Sequence, residues 1–183
     1  MPSAMNLLKI NDEVFYAQDA VITIGAKEIN FLKDAAKTSS RQRSRICTHS
    51  GPNDLIHEMF ICITSKSYIR PHKHITKTES FYVIEGEVDV VMFDDFGKVV
   101  AISQLAEPGK EKNSYFKMTQ HLFHTLVLRS ECLILLEVTN GPFISDESLL
   151  ASFSPPEHSK LEGVKYLSDL KEKVKLFYLN SGI

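Results

Sequence analysis

The feature that most constrains the fold is a series of short apolar segments, rich in valine, isoleucine and aromatic residues, running through the middle of the chain. They read "EMFICIT", "SFYVIEG", "EVDVVMFD", "KVVAISQL", "HTLVLR" and "ECLILLEVT". Each alternates or runs continuously apolar in the manner of a half-buried or buried strand. Turn signals separate them: Glu85-Gly86, "DDFG" at Asp94 to Gly97, "EPGKEKN" at Glu107 to Asn113, and Asn140-Gly141. Glycine and asparagine tolerate positive φ there and favour tight reversals. Many short strands joined by turns, with no helices between them, predict an antiparallel sandwich or barrel.

Helical patterning is confined to the ends. Ala26 to Lys37 places Ile29, Leu32 and Ala36 near one face, and Val164 to Leu179 does the same with Leu167, Leu170 and Val174. Both helices are expected on the outside of the sheets. The organisation that follows is an amino-terminal strand and helix extension over 1–40, a barrel over 41–157 and a carboxy-terminal helical extension over 158–183. The Pro-Pro pair in "SFSPPEHSKLEG" marks the surface connection before the last helix. A chain of 183 residues is long enough for one well-buried domain.

Composition narrows the function. Net charge is −2, with 21 basic and 23 acidic residues mixed along the chain, which speaks against a general nucleic-acid binder. No apolar run approaches the ~20 residues of a membrane span. The amino terminus, "MPSAMNLLKINDEVFYA", carries neither a basic leader nor a long apolar core, so a cytoplasmic protein is expected. Cys47, Cys62 and Cys132 are odd in number and widely spaced, the pattern of buried thiols rather than a disulfide framework.

One polar stretch stands out against this background: "RPHKHITKTESFYVIEGE", Arg70 to Glu87. Side chains alternate along a strand, so His72 and His74 project from the same side, ~6.6 Å apart along the backbone. Glu79 then opens a new strand whose face carries Phe81 and Val83, an expensive place for an unpaired carboxylate. A divalent cation resolves that cost by neutralising the carboxylate and taking the imidazole lone pairs.

The pattern H-x-H-x4-E-x6-G in "HKHITKTESFYVIEG" resembles the first motif of the cupin superfamily. That resemblance implies a cupin-type double-stranded β-helix, an all-β jelly-roll barrel, here with peripheral helices at both ends. It also implies a further histidine from a later strand. His124 in "TQHLFHTLVL" fills that place, with His121 as the competitor ahead of the strand-like run. Two departures from the motif stand at Lys66, where a glycine is common, and at Thr119 and His121, in place of a Pro-x-Gly turn. A narrower resemblance covers Arg41 to Glu157. The order "RSRICTHS", "RPHKHITKTESFYVIEGEVDVVMFDDFG", "FHTLV", "LEVTNGPF", "FSPPE" is similar to the WbuC family of cupin-fold metalloproteins, which is associated with gene clusters for bacterial O-antigen and other surface polysaccharides.

The expected cofactor is one divalent transition metal (Fe, Mn, Ni, Zn or Co) on His72, His74, Glu79 and His124, with binding that falls as pH drops through ~6.5. Such an ion can polarise a carbonyl or an enediolate or activate water. The favoured expectation is a metal-dependent isomerase or epimerase of a sugar or nucleotide-sugar. The alternatives are an Fe(II)-dependent oxygenase and a non-catalytic metal-stabilised sugar-binding module. Tyr82, His49 and Glu58 are the catalytic candidates, with Tyr68 and Glu137 as further proton carriers. Arg70, Arg45 and Glu137 are the substrate-binding candidates. Arg70 is held extended by Pro71, and Arg45 shares a strand face with Cys47 and His49. The alternating Arg41, Arg43 and Arg45 also fit a solvated lead-in to a strand, and His57 and His158 read as structural or exposed. The partners expected are a small molecule and a second copy in a homodimer, because jelly-roll edges expose unpaired backbone groups.

Overall fold

The computed structural model describes residues 5–144 and 148–181. In chain order the elements are β1 (Leu7–Lys9), β2 (Val14–Ala17), α1 (Ala26–Thr38), β3 (Arg43–Cys47), β4 (Ile56–Thr64), β5 (His72–His74) and β6 (Glu79–Glu85). They continue with β7 (Glu87–Phe93), β8 (Val99–Ala106), β9 (Tyr115–Met118), β10 (Phe123–Leu128), β11 (Cys132–Asn140), β12 (Ser148–Leu150) and α2 (Lys160–Ser181).

Strand pairing defines the architecture. β7 pairs with β8, β6 with β9, β5 with β10 and β4 with β11, all antiparallel. These four pairs are nested, so β4 to β11 form one long antiparallel hairpin whose tip is the β7–β8 turn. The hairpin is rolled up, which places its strands in two sheets: β1-β2-β3-β4-β11-β6-β9 and β12-β5-β10-β7-β8. This is the jelly-roll, double-stranded β-helix arrangement of cupins. β1 and β2 widen the larger sheet at its edge, β2 running parallel to β3.

Each sheet faces the barrel interior on one side and is covered by a helix over part of the other, and the core has three layers. Inside the barrel, Ile61, Ile63, Val83, Val90, Leu126 and Leu135 pack together. Outside the larger sheet, Leu32 and Ala36 of α1 bury against Phe15, Ile46, Cys62 and Ile134. Outside the smaller sheet, Leu170 and Val174 of α2 bury against Val91, Phe93, Phe123 and Val127. Double coverage explains why β7 and β10 read as continuous apolar runs. Both helices therefore take the outer positions that their apolar stripes predict, although α2 begins four residues earlier than its periodicity suggests.

Polar ties hold the outer layers to the barrel. Lys33 of α1 reaches both oxygens of Glu85 at 2.5 and 2.7 Å. Tyr178 of α2 donates to Asp89 Oδ1 at 2.9 Å, and Arg129 donates to Asp89 Oδ2 at 2.7 Å. Gly86 turns the chain from β6 into β7 at φ +94°, and a Cβ there would lie 2.4 Å from the Cys132 carbonyl oxygen. Only glycine fits that turn. All three cysteines are free thiols; Cys47 and Cys62 are buried and Cys132 is partly so, with 3.2 Å between the sulfurs of Cys62 and Cys132. Among the described residues no helix is long and apolar enough to cross a membrane.

Candidate metal centre

Four ligand-type side chains converge inside the barrel. One ligand atom from each of His72, His74, Glu79 and His124 lies within 4.8 Å of the others. Two sheets supply them. β5 carries His72 and His74, β10 places His124 directly opposite His72, and Glu79 starts β6 in the facing sheet. β5 has three residues and is held between β10 and β12.

Each imidazole is oriented through Nδ1. His72 Nδ1 lies 3.0 Å from the Arg70 carbonyl and His124 Nδ1 lies 3.2 Å from the Leu122 carbonyl. A carbonyl only accepts, so both Nδ1 atoms carry a proton; the neutral His72 ring then presents its Nε2 lone pair, and His124 does the same once a cation replaces the proton that its Nε2 shares with Glu79. His74 Nδ1 is 3.0 Å from Ser148 Oγ, a hydroxyl that can donate or accept, which anchors the third ring at the same nitrogen. Nε2 of His124 is 3.0 Å from Glu79 Oε2, and Nε2 of His74 is 3.6 Å from Oε1. Three rings anchored at Nδ1, two of them with Nε2 toward the carboxylate and all within reach of one point, are the outer-shell arrangement of metal-binding histidines, so these residues fit a divalent cation.

The electrostatics fit it as well. Burial, reinforced by the neighbouring His124, pushes His72 down to about 4, keeping the imidazole neutral at physiological pH. Burial by itself would raise Glu79, but hydrogen bonds from His124 and His74 outweigh it and hold the carboxyl well below its ordinary range. Burial opposes a charge on His124 too, yet the Glu79 carboxylate raises it. Glu79 is thus an ionised carboxylate in a nearly closed setting, 6% exposed, and draws on imidazole protons where no cation is bound.

The four residues face a chamber of about 280 Å³. Arg45, Arg70 and Glu137 of the expected substrate-binding set all line it. The Arg70 guanidinium is tied to the segment after β12, donating to the Ala151 carbonyl at 2.7 Å and to Ser154 Oγ at 3.4 Å. Glu137 is pushed up to about 8, first by burial and then by the charge of Glu79, against the pull of Arg45.

The expected catalytic set is not brought together there. Glu58 and Tyr82 are exposed on the outer face of the larger sheet, because each follows an inward residue, His57 and Phe81, on a strand whose faces alternate. His49 is buried, but it stacks on His57 at 4.2 Å between ring centroids with Nδ1 against the Glu58 backbone, and it does not reach the chamber wall. Tyr68 donates to the Pro155 carbonyl at 2.9 Å and lines an outer cavity instead. His121 is exposed, with Nδ1 2.7 Å from the His74 carbonyl, and takes no part in the ligand cluster. His158 is exposed in the outer cavity.

Sequence reasoning passed over several chamber residues. His57 is 4% exposed and lines the wall, where its Nε2 is buried without a hydrogen-bond partner among the described residues. Arg43 also lines the chamber and binds both oxygens of Glu157 through Nη2 at 3.0 and 2.9 Å. Strand parity carried forward from Arg45 would have found Arg43; the pairing with Glu157 is 114 residues distant and leaves no local signal.

Comparison with known proteins adds the following. A family profile described as a domain of unknown function (DUF6016) matches residues 24–105, less than half of the chain. No curated protein matches the sequence. Among solved structures, a protein of Shewanella oneidensis is 17% identical at a TM-score of 0.45, over 56% of this chain and 66% of that one. Oxalate decarboxylase from Bacillus subtilis is 17% identical at 0.45, over 59% of this chain and 27% of its own. KdgF from Halomonas is 16% identical at 0.42, over 57% and 82%. The match thus spans about a quarter of the oxalate decarboxylase chain and just under two thirds of the Shewanella protein.

Proposed function

We propose that the protein is a divalent-metal enzyme of the isomerase or epimerase type, acting on a sugar or nucleotide-sugar. The observation that carries this reading is the placement of Glu137, a half-buried glutamate, in the same small chamber as the four-residue ligand cluster. A divalent cation on His72, His74, Glu79 and His124 would supply Lewis acidity toward a carbonyl or an enediolate.

The chain's own groups provide the rest. Glu137 is half-buried among apolar and cationic side chains and pushed up to about 8, so near neutral pH it can hold a proton and also release one. An acid–base pKa close to the working pH is what proton shuttling between adjacent carbons requires. Arg70 and Arg45 lie on the chamber wall, where their N–H donors can orient hydroxyl or acidic groups of the substrate. Phe81, Leu126 and the aliphatic lining exclude water around them. A role in bacterial surface-polysaccharide assembly is supported by the resemblance noted for Arg41 to Glu157.

The test has two stages. Elemental analysis of protein purified without added metal should find about one transition-metal ion per chain. The loaded protein is then incubated with a panel of sugars and nucleotide-sugars, and products are followed by mass and NMR. Isomerised or epimerised product is expected, with turnover lost in Glu137→Gln while metal content is retained. No turnover across the panel counts against the reading, and iron-dependent oxygen uptake in its place would replace it with an oxygenase.

A further inference from the structure

The chamber wall built by β3 and β4 carries cationic and polar groups that the fold answers only in part. Arg45 projects inward from β3, and among the described residues its guanidinium makes one hydrogen bond, from Nη1 to the Met59 sulfur at 3.7 Å. Among the described residues no carboxylate lies within ion-pair distance of it. Two residues earlier on the same face, Arg43 Nε is buried with no hydrogen-bond partner among the described residues, and Glu13 Oε2 lies 4.0 Å from it. On the next strand His57 Nε2 is likewise buried and unpartnered. Arg43 has Glu157 as its anion, whereas the half-buried Arg45 has none in ion-pair contact and meets only the more distant charge of Glu137, which leaves its donors available to a bound anion.

The approach to the chamber has the same sign. An outer cavity shares Arg43, Arg70, His72, Ser148, Leu150 and Glu157 with the chamber, so the two meet at a neck. Arg41, Arg43, Lys66, Arg70 and Lys160 line that cavity, and Glu157 is the one carboxylate among its lining residues. Glu13, behind this wall, pairs with Arg41. Glu157 demonstrates what the neck does with a carboxylate: both of its oxygens are held by Arg43 Nη2, and Arg41 Nη1 adds a contact at 3.3 Å. Cationic walls of low dielectric concentrate anions and steer them inward.

We propose that the ligand of the chamber carries an oxyanion, a carboxylate or a phosphate, on a small polyhydroxy or carbonyl scaffold, and that Arg45 receives it. This deepens the metal-centred reading given above and rests on it. A chamber of about 280 Å³ lies just below the usual span of ligand sites, roughly 300–1,000 Å³, so the part bound inside is no larger than a monosaccharide. The bulk of any nucleotide would remain in the outer cavity. The oxyanion on Arg45 and the oxygens offered to the cation then fix the molecule at two points, which orients it past Glu137.

Matched probe pairs test this on the full chain loaded with Zn(II). D-Glucuronate is compared with its methyl ester, and D-glucose 6-phosphate with D-glucose, by calorimetric titration. At least one charged member should bind about tenfold or more tightly than its neutral partner, since a charge-assisted bidentate contact is lost in the ester or the free sugar. Whichever pair shows the difference identifies carboxylate or phosphate. In Arg45→Gln the difference should collapse to near unity, and Arg45→Lys should restore part of it. Equal binding of charged and neutral members, binding by neither anion, or an undiminished preference in Arg45→Gln overturns the proposal. The wild-type comparison decides it even where a variant fails to fold. Zn(II) stoichiometry is measured separately. Loss of metal binding sinks the metal reading, whereas one ion bound with no anion preference sinks this inference alone.

Discussion

Glu137 concentrates the chemistry of the chamber in one titration, and its sign is testable without a substrate. Its carboxyl is raised from 4.5 to about 8, chiefly by burial. The folded chain therefore binds more protons than the unfolded chain between these values, and stability falls as pH rises through that window. Below about 4.5 both states hold the proton and the penalty disappears. In chelator-treated protein, melting temperature followed from about pH 5 to 8.5 should decline more steeply for wild type than for Glu137→Gln, with up to a few kcal/mol between them at the alkaline end. Parallel profiles would show that the carboxyl is already ionised and remove its claim as a proton carrier. At this scale the convergence of His72, His74, Glu79 and His124 was legible, and the placement of Glu58, Tyr82 and His49 away from the chamber was not. His72 and His74 are two residues apart, and strand alternation alone puts them on one face. Glu58 had no such guide: in β4 the outward Phe60 and Cys62 are as apolar as the inward Ile61 and Ile63, because α1 covers the outer face. Where both faces are apolar, parity cannot be read from the strand itself.

Elements were readable where one face alone is buried. α1 shows Leu32 and Ala36 toward the sheet and charged residues outward, and its limits match the apolar stripe within a residue. α2 is less plain: Leu170 and Val174 are buried, yet Leu161, Leu176 and Leu179 are exposed, which blurs its period. This asymmetry gives a paired test. Leu170→Ala removes a side chain 3% exposed beneath α2 and should cost about 2–5 kcal/mol in denaturant unfolding. Leu176→Ala, at a position 57% exposed, should fall within about 0.5 kcal/mol of wild type. Equal costs at the two sites would mean that α2 is packed by a different face. β5 was not legible as a strand from propensity, since it is three residues long and its existence depends on β10 and β12 on either side. Its position was legible only through the histidines it carries.

At the scale of the whole molecule, the ligand cluster joins the two sheets. Three imidazoles belong to the smaller sheet and the carboxylate to the larger, so one ion would bridge the barrel across its interior. Nothing in the unfolded chain reproduces that geometry, because His124 is 45 residues from Glu79. Binding to the native state alone stabilises it by about 2.7 kcal/mol at a free metal concentration 100 times the dissociation constant. For a chain of this length that is roughly 5–10 °C in melting temperature. Chelator should lower the melting temperature of wild type by that order, and added Zn(II) should restore it. His124→Ala should melt at one temperature with or without the ion, because the group opposite both His72 and Glu79 is gone. A transition that remains single as it shifts would show that the bridge acts on the barrel as a unit rather than on the short β5 edge. A wild-type melting temperature indifferent to both chelator and metal would separate these four side chains from any shared ion and leave Glu79 as a carboxylate paired with histidines.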